Sequence, residues 1–448
     1  MKRILTILLL ISISLAFAMP DYYPLTSIAE TFSTNWCTSC NEMYAGIDVL
    51  HDQLHPGEFI STRLYTESGP LSGPDIQARF DHYGVMSFPV VIFNGKARVD
   101  GANDETHNGQ DYLNALQPFR FAASPLRMQI TGFNRQTGAI TVEVEMVSPT
   151  FNMENANLFL YLLEDDVSDT DTHVTRQVLQ QPLTLSGAGN SVQVEQSFNI
   201  SADYVNNNLW AAAFVQADDN NILQAAHTLD VPQNYIRVAF DWDSHIIWPK
   251  DQMFCLSQPF WVFNYGEKES INTQIVVEEG PDDWYFNYCD EEDNCFPGGM
   301  PMPHILAAGG VKGFHLNIML SGSGRAKFRF VISSDTFGEY SIPFMLVTDD
   351  LDCDDHLIPN YGLGLKANYP NPFSANTSIV VEAQKTAGDV IVDIFNIKGQ
   401  KVDSLELKQV NDGSNECIWS PSKDLPAGVY LQKIRGTNLP ARRMMYIK

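Results

Sequence analysis

The sequence has 448 residues, and its 28 Lys and Arg stand against 54 Asp and Glu, a formal net charge of −26 at pH 7. So acidic a chain argues against nucleic-acid partners and against binding to anionic membrane surfaces, because both attract basic proteins. The length predicts roughly three or four domains. We predict neither a bound metal nor a cofactor.

Residues 1–18 predict a secretory signal peptide. Lys2 and Arg3 give the positive start, residues 4–15 the apolar core, and residues 16–18 a small-x-small cleavage signal that ends at Ala18. The apolar run is too short to span a bilayer comfortably, and we expect no transmembrane segment. Cleavage near Ala18 would deliver the protein through the periplasm to an oxidising location, secreted or at the cell surface.

Two cysteines separated by two residues follow an apolar run at positions 28–32. Residues 36–40 read Trp-Cys-Thr-Ser-Cys, and apolar residues at helical spacing over 41–54 predict a helix directly behind them. If Cys37 lies at the N-terminus of that helix, the unpaired backbone N–H groups and the helix dipole favour its thiolate. A thiolate attacks disulfides, so the pattern indicates exchange between thiol pairs.

A second pattern lies near residue 89. The run Val90–Phe93 is followed by Asn94-Gly95 and then by Lys96–Val99, which predicts two strands joined by a type I′ turn. Pro89 stands immediately before the first of these strands.

Together these two patterns resemble the thioredoxin superfamily across roughly residues 24–120. The resemblance implies that Pro89 is cis and faces a Cys37–Cys40 disulfide. It also implies that Cys37 is the attacking cysteine and Cys40 the resolving one. Trp36, Phe88 and Pro89 would then bind an extended segment of a cysteine-containing protein substrate.

The sequence also departs from that family. The family's buried acidic residue, six positions before the first cysteine, is replaced by Thr31, and strand alternation points the neighbouring Glu30 to the other face. The redox direction therefore stays open. So does a non-catalytic alternative, in which the protein is a surface binding or adhesion protein and the same fold serves only as a scaffold.

The middle of the chain alternates between apolar and polar residues in short runs, which predicts strands. Residues 121–235 suggest an immunoglobulin-like sandwich, and together with the first domain they resemble bacterial outer-membrane-associated thioredoxin-like proteins. Residues 236–350 predict a second β-sandwich with a local structural disulfide between Cys289 and Cys295. A calcium site in the acidic loop at 164–171 is an alternative to a solvated loop.

Three cysteines remain outside these pairs. Cys417 alternates with Trp419 along a predicted strand, which indicates a buried free thiol. Cys255 and Cys353 flank the same β-rich block, and whether they pair stays open.

The last 84 residues carry a further resemblance. They open with Asn368-Tyr-Pro-Asn-Pro-Phe, continue through Asn396-Ile-Lys-Gly-Gln and Leu425-Pro-Ala-Gly-Val-Tyr, and end in basic residues. This segment resembles the C-terminal sorting domain of type IX secretion cargo, which implies a partner in the outer-membrane secretion machinery for residues 365–448. Such a domain is an address read by a receptor and not a membrane anchor.

We therefore predict a multidomain chain in which an α/β thioredoxin-like domain is followed by two β-sandwich domains and a C-terminal Ig-like β-sandwich sorting domain. The predicted boundaries are 1–18 for the signal peptide, 19–120 for the thioredoxin-like domain, 121–235 for the Ig-like sandwich, 236–350 for the second sandwich, 351–364 for an acidic linker and 365–448 for the sorting domain.

Overall fold

The structure is a computed structural model, and it divides the chain into two compact units, residues 1–348 and residues 349–448. The predicted signal peptide and most of the predicted linker lie outside the described residues. The described residues are 20–66, 71–102, 105–168, 171–349, 363–366, 368–383, 388–396, 401–411, 413–422, 425–435 and 442–447.

The first part of the chain mixes strands and helices. Helix α1 buries Met43, Ile47 and Leu50 along one face, as their spacing of three and four residues requires. Helix α2 starts with Pro74, whose fixed φ suits a first helical position. The elements are β1 Tyr23–Pro24, β2 Ser27–Ser33, α1 Cys40–Gln53, β3 Phe59–Tyr65, α2 Pro74–His82, β4 Val90–Phe93, β5 Ala97–Asp100 and α3 Glu105–Arg120.

A run of strands follows, with one short 3₁₀ helix at Asn206–Asn208. The residues of β8 alternate between buried and exposed positions, as the period of two predicts for a strand with one face in a core. The strands are β6 Ala123–Ser124, β7 Leu126–Phe133, β8 Ala139–Met146, β9 Asn152–Glu164, β10 Val174–Ser186, β11 Ser191–Ser197, β12 Leu209–Gln216 and β13 Ile222–His227.

One eight-stranded sheet contains strands from both sides of the boundary predicted at residue 120. Its order is β13-β12-β9-β10-β3-β2-β4-β5. The two halves meet where β10 pairs with β3 in parallel, with Val174 opposite Arg63. There the Arg63 N–H donates to the carbonyl of His173 at 2.8 Å. The α/β part and the following sandwich therefore share a continuous sheet.

Each face of this sheet is covered by a different layer. Helix α2 packs Ile76 and Phe80 against both halves of one face, including Phe159 and Phe214 from the sandwich strands. Helices α1 and α3 cover the opposite face of the β2–β5 half. The three-stranded sheet β11-β8-β7 covers the opposite face of the other half and closes the sandwich.

The rest of the first unit is a second two-sheet structure. One sheet has the order β14-β17-β22-β19-β20, with β16 also paired to β22, and the other has the order β15-β24-β23-β18-β21. The core between them is rich in phenylalanine. The strands are β14 Ile236–Ala239, β15 His245–Trp248, β16 Phe254–Leu256, β17 Phe260–Asn264, β18 Glu269–Glu279, β19 Tyr285–Asp290, β20 Cys295–Pro297, β21 Met302–Leu306, β22 Val311–Met319, β23 Arg325–Ser334 and β24 Gly338–Thr348.

The second unit is a small sandwich of two sheets, with the orders β25-β26-β29 and β28-β27-β30-β31. Trp419, Phe373 and Tyr430 lie in the core between them. The predicted multidomain, β-sandwich-rich architecture is confirmed at this level. The strands are β25 Gly364–Leu365, β26 Thr377–Ala383, β27 Gly388–Asn396, β28 Lys401–Val410, β29 Gly413–Trp419, β30 Gly428–Ile434 and β31 Arg442–Tyr446.

Candidate functional site

Cys37 and Cys40 form a disulfide at the end of β2, where the chain enters α1. The two sulfurs differ in access, because Cys37 is half-buried whereas Cys40 is 2% exposed and belongs to the core beneath α1. A reagent or substrate from solvent therefore meets Cys37 first.

Helix α1 matches the predicted range closely, but Cys37 does not lie at its N-terminus. Its first residue is Cys40, with Ser39 at the N-cap, so Cys37 lies three residues before it and not at the helix start. Two tight turns cause this, because the Cys37 N–H donates to the carbonyl of Thr34 and the Cys40 N–H donates to the carbonyl of Cys37, both at 3.2 Å. Since the helix dipole acts within the first turn, it supports a Cys37 thiolate less than a helix starting at Cys37 would.

An exposed aromatic surface adjoins the disulfide. Trp36 is 65% exposed, and its ring meets the ring of Phe88 edge to face at 6.0 Å between centroids. Phe88 and Cys37 both pack against the core cluster that contains Cys40. The Phe88–Pro89 peptide bond is cis, as predicted. The structure thus brings Cys37, Cys40, Trp36 and Phe88 together, and Pro89 follows Phe88 through the cis bond.

Tyr44, on the same face of α1 as Cys40, belongs to a chain of hydroxyl groups. Tyr44, four residues later on α1, has its hydroxyl 2.6 Å from the Ser33 hydroxyl and hydrogen-bonded to Tyr65. The Tyr65 hydroxyl donates to a carboxylate oxygen of Asp171 at 2.6 Å. Because each hydroxyl has a single proton, the donors point from Ser33 outward to Asp171.

Sequence reasoning missed this chain of hydroxyls. The four-residue spacing from Cys40 to Tyr44 could have indicated a shared helix face. Asp171 gives no such signal, because it comes from the loop between β9 and β10, more than a hundred residues away along the chain.

Glu30 lies on the opposite face of the sheet, as strand alternation predicted. It is fully buried and forms an ion pair with Arg79 of α2, with 2.7 Å between Oε2 and Nη2. Tyr83 and Tyr161 also donate to its carboxylate, at 2.8 Å and 2.5 Å. Burial raises the pKa of Glu30, but Arg79 and these hydrogen bonds outweigh it and hold the pKa below its ordinary value. Thr31, on the face of Cys40, is buried and donates to the carbonyl of Thr62.

Two half-buried histidines lie where the two halves of the long sheet meet. His51 Nε2 is 2.8 Å from the Ser61 hydroxyl, which is 3.1 Å from His173 Nδ1. Burial lowers the pKa of His51 to about 3, with His173 and Arg63 adding to the effect. Burial likewise lowers the pKa of His173 to about 4. Both rings are therefore neutral near pH 7.

Cys289 and Cys295 form the other disulfide of the described residues, and they face each other across β19 and β20. Cys255 is free and fully buried, and burial raises the pKa of its thiol to about 12. Cys417 is free but only half-buried, and burial, followed by Glu416, raises its pKa to about 11. Cys353 lies outside the described residues.

Three carboxylates of the acidic loop at 164–171 accept hydrogen bonds within the fold, those of Glu164, Asp165 and Asp171. Asp165 accepts from the backbone of His173 and from the Trp210 ring, at 2.8 Å and 3.0 Å. Glu164 pairs with Arg176 at 2.7 Å. Within the part of the chain that the structure describes, no group of three or more His, Cys, Asp or Glu is placed to hold a metal ion.

The small sandwich of the second unit matches a known protein family. Residues 367–448 match the family model described as the secretion system C-terminal sorting domain. This segment is a type IX sorting domain. The sorting domain indicates a protein secreted to the cell surface or beyond, with the type IX secretion machinery as a partner.

Other comparisons give no further identity. No curated protein matches the chain. Among solved structures, dimeric latent PorU from Porphyromonas gingivalis is 13% identical over 72% of this chain and 34% of its own, with a TM-score of 0.17. A chaperone–tip adhesin complex of CFA/I fimbriae is 10% identical over 47% of this chain and 98% of its own, with a TM-score of 0.21.

A PapD-like domain of human CEP192 is 12% identical over 28% of this chain and 91% of its own, with a TM-score of 0.18. This chain thus spans about a third of the PorU chain. Scores this low carry no argument about fold or function. Among the described helices, none has the length and apolarity needed to cross a membrane.

Proposed function

We propose that the protein is an exported thiol–disulfide oxidoreductase, built on a thioredoxin-like α/β module at residues 19–120 and delivered to the cell surface or beyond by its sorting domain. One observation carries the proposal. A disulfide with one accessible sulfur, on Cys37, lies beside the exposed Trp36 ring and the cis-proline loop at Pro89. Cys289–Cys295 also has one exposed cysteine, so what distinguishes Cys37–Cys40 is the exposed aromatic ring and the cis-proline loop beside it.

The chemistry is a two-electron exchange with a cysteine-containing protein. In the direction that reduces a substrate, the Cys37 thiolate attacks the substrate disulfide, forms a mixed disulfide and releases one substrate thiolate. The Cys40 thiol then loses its proton and attacks the Cys37 sulfur, which restores the Cys37–Cys40 bond and releases the second substrate thiolate. The reverse sequence oxidises a dithiol substrate.

The Cys40 thiol must lose a proton before it attacks, so it needs a proton acceptor. Thr31 occupies the position where thioredoxins carry a buried acidic residue. The hydroxyl chain from Ser33 through Tyr44 and Tyr65 to Asp171 is our candidate route. Its donors all point towards a carboxylate that is 25% exposed and can pass the proton to water. Cys289 and Cys295 instead join two paired strands, and we propose that their disulfide is structural.

A reduction potential tests the proposal in the full chain. We expect the Cys37–Cys40 potential to lie above about −300 mV, whereas structural disulfides lie below it. The Cys289–Cys295 pair serves as the internal reference. If both pairs show similar potentials below that value, the redox function is wrong.

Trapping tests the separate roles of the two cysteines. Cys40→Ser should accumulate mixed disulfides between Cys37 and periplasmic or surface proteins, because the resolving step is lost. Cys37→Ser should accumulate none, and Cys289→Ser is the control for a newly free thiol elsewhere, because it leaves the exposed Cys295 unpaired. Equal trapping by all three variants would favour the alternative of a non-catalytic binding protein with a thioredoxin-like scaffold.

A further inference from the structure

One sheet of the second two-sheet structure has an outward face that is covered over only half of its width. Side chains alternate along β22, so Phe314, Leu316 and Ile318 enter the core and the residues between them project outward. On the β14–β17 half of this face, the outward side chains of Trp261 and Phe263 are buried with residues from the first part of the chain. The half formed by β16, β22 and β19 is open to solvent in two rows of side chains.

The first row runs across three strands, from Phe254 through Met319 to Tyr285. Phe254 lies opposite Met319, and Met319 lies opposite Tyr285. Residues directly opposite each other in antiparallel strands project to the same side of the sheet. Phe254 is 54% exposed and Tyr285 is 61% exposed, whereas Met319 between them is half-buried. Two strand spacings separate the backbones that carry the two rings, which is about 10 Å.

The second row runs parallel to the first, two residues along each strand. Its members Leu256, Asn317 and Asn287 lie opposite one another in the same register. The amide nitrogen of Asn317 lies 3.7 Å and 4.0 Å from the sulfurs of Cys289 and Cys295, and no described residue donates to its carbonyl oxygen. The Asn287 side chain makes no hydrogen bond with any residue that the structure describes. The open half therefore places an apolar row beside two amides that can bond to a ligand.

The two rows contain no charged side chain, although the whole chain has a net charge of −26. Carboxylates lie only beyond the ends of the rows. Asp283 precedes Tyr285 by two residues, and Glu291 follows β19 and pairs with Lys312 at 3.1 Å. An acidic polymer, an anionic bilayer or a second copy of this acidic chain would be repelled. A basic protein would find no carboxylate within the rows, so the observations favour an uncharged partner.

We propose that this open half binds a linear, uncharged polysaccharide that lies across β16, β22 and β19. We call it the sheet platform, and its residues are Phe254, Leu256, Tyr285, Asn287, Asn317 and Met319. The C–H faces of pyranose rings are apolar and pack on aromatic and aliphatic side chains, whereas their hydroxyls need hydrogen-bond partners.

The two rows of the sheet platform match these two needs of a sugar chain. Successive pyranose rings would lie on Phe254, Met319 and Tyr285, and the about 10 Å between the outer two suits a pair of sugar units. The hydroxyls along one edge of the polysaccharide would bond to the amides of Asn317 and Asn287. This binding would be independent of the redox function proposed for Cys37 and Cys40.

Affinity electrophoresis of the full chain tests the sheet platform, because a polysaccharide in the gel retards a protein that binds it. The neutral probes are hydroxyethyl cellulose, xylan and galactomannan, and the anionic probe is alginate. We expect at least one neutral polymer to retard the parent protein and alginate to leave it unretarded.

Variants of the two rings measure their share of the binding. Phe254→Ser/Tyr285→Ser should weaken binding at least about tenfold, because exposed aromatic anchors dominate an interface. Ile305→Ser is the matched control and should keep the parental affinity, since Ile305 is 56% exposed but lies on β21 of the opposite sheet. Asn287→Ala should weaken binding severalfold with both rings in place.

Thermal unfolding separates lost binding from lost folding. The ring variant should unfold at the parental temperature, since both rings are exposed. If it unfolds at a lower temperature, Tyr285→Phe and Tyr285→Ala decide. The first keeps the ring and should bind like the parent, whereas the second should bind more weakly.

Four results would overturn the proposal. They are no retardation of the parent by any neutral polymer, equal retardation of the parent and the ring variant, loss of binding in Ile305→Ser equal to that in the ring variant, and equal retardation by alginate. Two further probes identify another occupant. Sedimentation with phosphatidylcholine vesicles that the ring variant loses, without polysaccharide binding, would assign the platform to a bilayer surface. Binding to polylysine with the same loss would assign it to a basic polypeptide.

Discussion

Replacing Arg79 by methionine removes the cation that faces the fully buried carboxylate of Glu30. Arg79 gives this carboxylate two hydrogen bonds, from Nε at 2.9 Å and from Nη2 at 2.7 Å. Methionine fills a similar volume, so the main effect is a buried charge without its partner. We expect the first unit to lose about 3–5 kcal/mol of unfolding free energy at neutral pH.

The pH dependence of this loss has a definite sign. In the parent the pKa of Glu30 is held below its ordinary value, so the pair contributes stability above pH 4.5 that is lost as pH falls through the folded pKa. In Arg79→Met burial raises the pKa of Glu30 instead. Its folded state then binds a proton that the unfolded state releases, and its stability should fall as pH rises above 4.5.

Urea unfolding followed by circular dichroism at pH 4.5 and pH 7.5 measures both effects. Adding Glu30→Gln to Arg79→Met should restore part of the stability at pH 7.5 and little at pH 4.5, because glutamine removes only the charge. Arg329→Met is the control, since Arg329 pairs with Glu278 at 2.7 Å but both side chains are at least 34% exposed. That variant should stay within about 1 kcal/mol of the parent. An Arg79→Met loss no larger than the control, or no rescue by Glu30→Gln, would refute the reasoning.

Three further predictions follow from groups around the candidate site. Asp171→Asn should slow the resolving step and shift its pH profile upward, whereas Asp166→Asn, an exposed residue of the same loop, should leave stopped-flow rates unchanged. The pKa values of His51 and His173 are lowered in the folded protein, so the stability that these neutral rings contribute is lost as pH falls below 6.5. His51→Gln should therefore flatten the fall in unfolding free energy between pH 6.5 and pH 4. An unchanged slope in calorimetry would contradict this. Cys255 should react with iodoacetamide only after unfolding, since it is fully buried with a raised pKa, and mass spectrometry of the native protein should find it unlabelled.

Local patterns in the sequence predicted several elements well. Asn94 and Gly95 have φ of 47° and 72°, the positive values that a type I′ turn demands, and they join β4 to β5 as expected. The strands Ala139–Met146 and Leu209–Gln216 lie in the part of the chain where short apolar runs predicted strands. In each case neighbouring residues carry the whole signal, either as a required φ or as side chains that fit a pleated, buried surface.

Elements that depend on distant partners could not be predicted in the same way. Strand β10 carries several glutamines and Pro182 and does not alternate clearly, and β9 and β3 on either side of it complete its ladder. Strand alternation predicted which face of the sheet Glu30 occupies. Its hydrogen bond from Tyr161 could not be predicted, because the two residues are 131 positions apart in the chain. The position of Cys37 ahead of α1 depends on two successive turns between Thr34 and Cys40, and residue spacing alone does not reveal them.

The continuous sheet limits which segments of this gene can be exchanged with other genes during evolution. A gene fragment ending at residue 120 would encode β3 with an open edge where Arg63 now donates to His173. In that fragment α2 would lose its contacts with Phe159 and Phe214, and Glu30 would lose its hydrogen bond from Tyr161. We therefore expect residues 19–120 to be less stable when encoded without the sandwich than in the full chain. Variation at the disulfide must be selected together with variation in the sandwich, and the two should change in step across descendants.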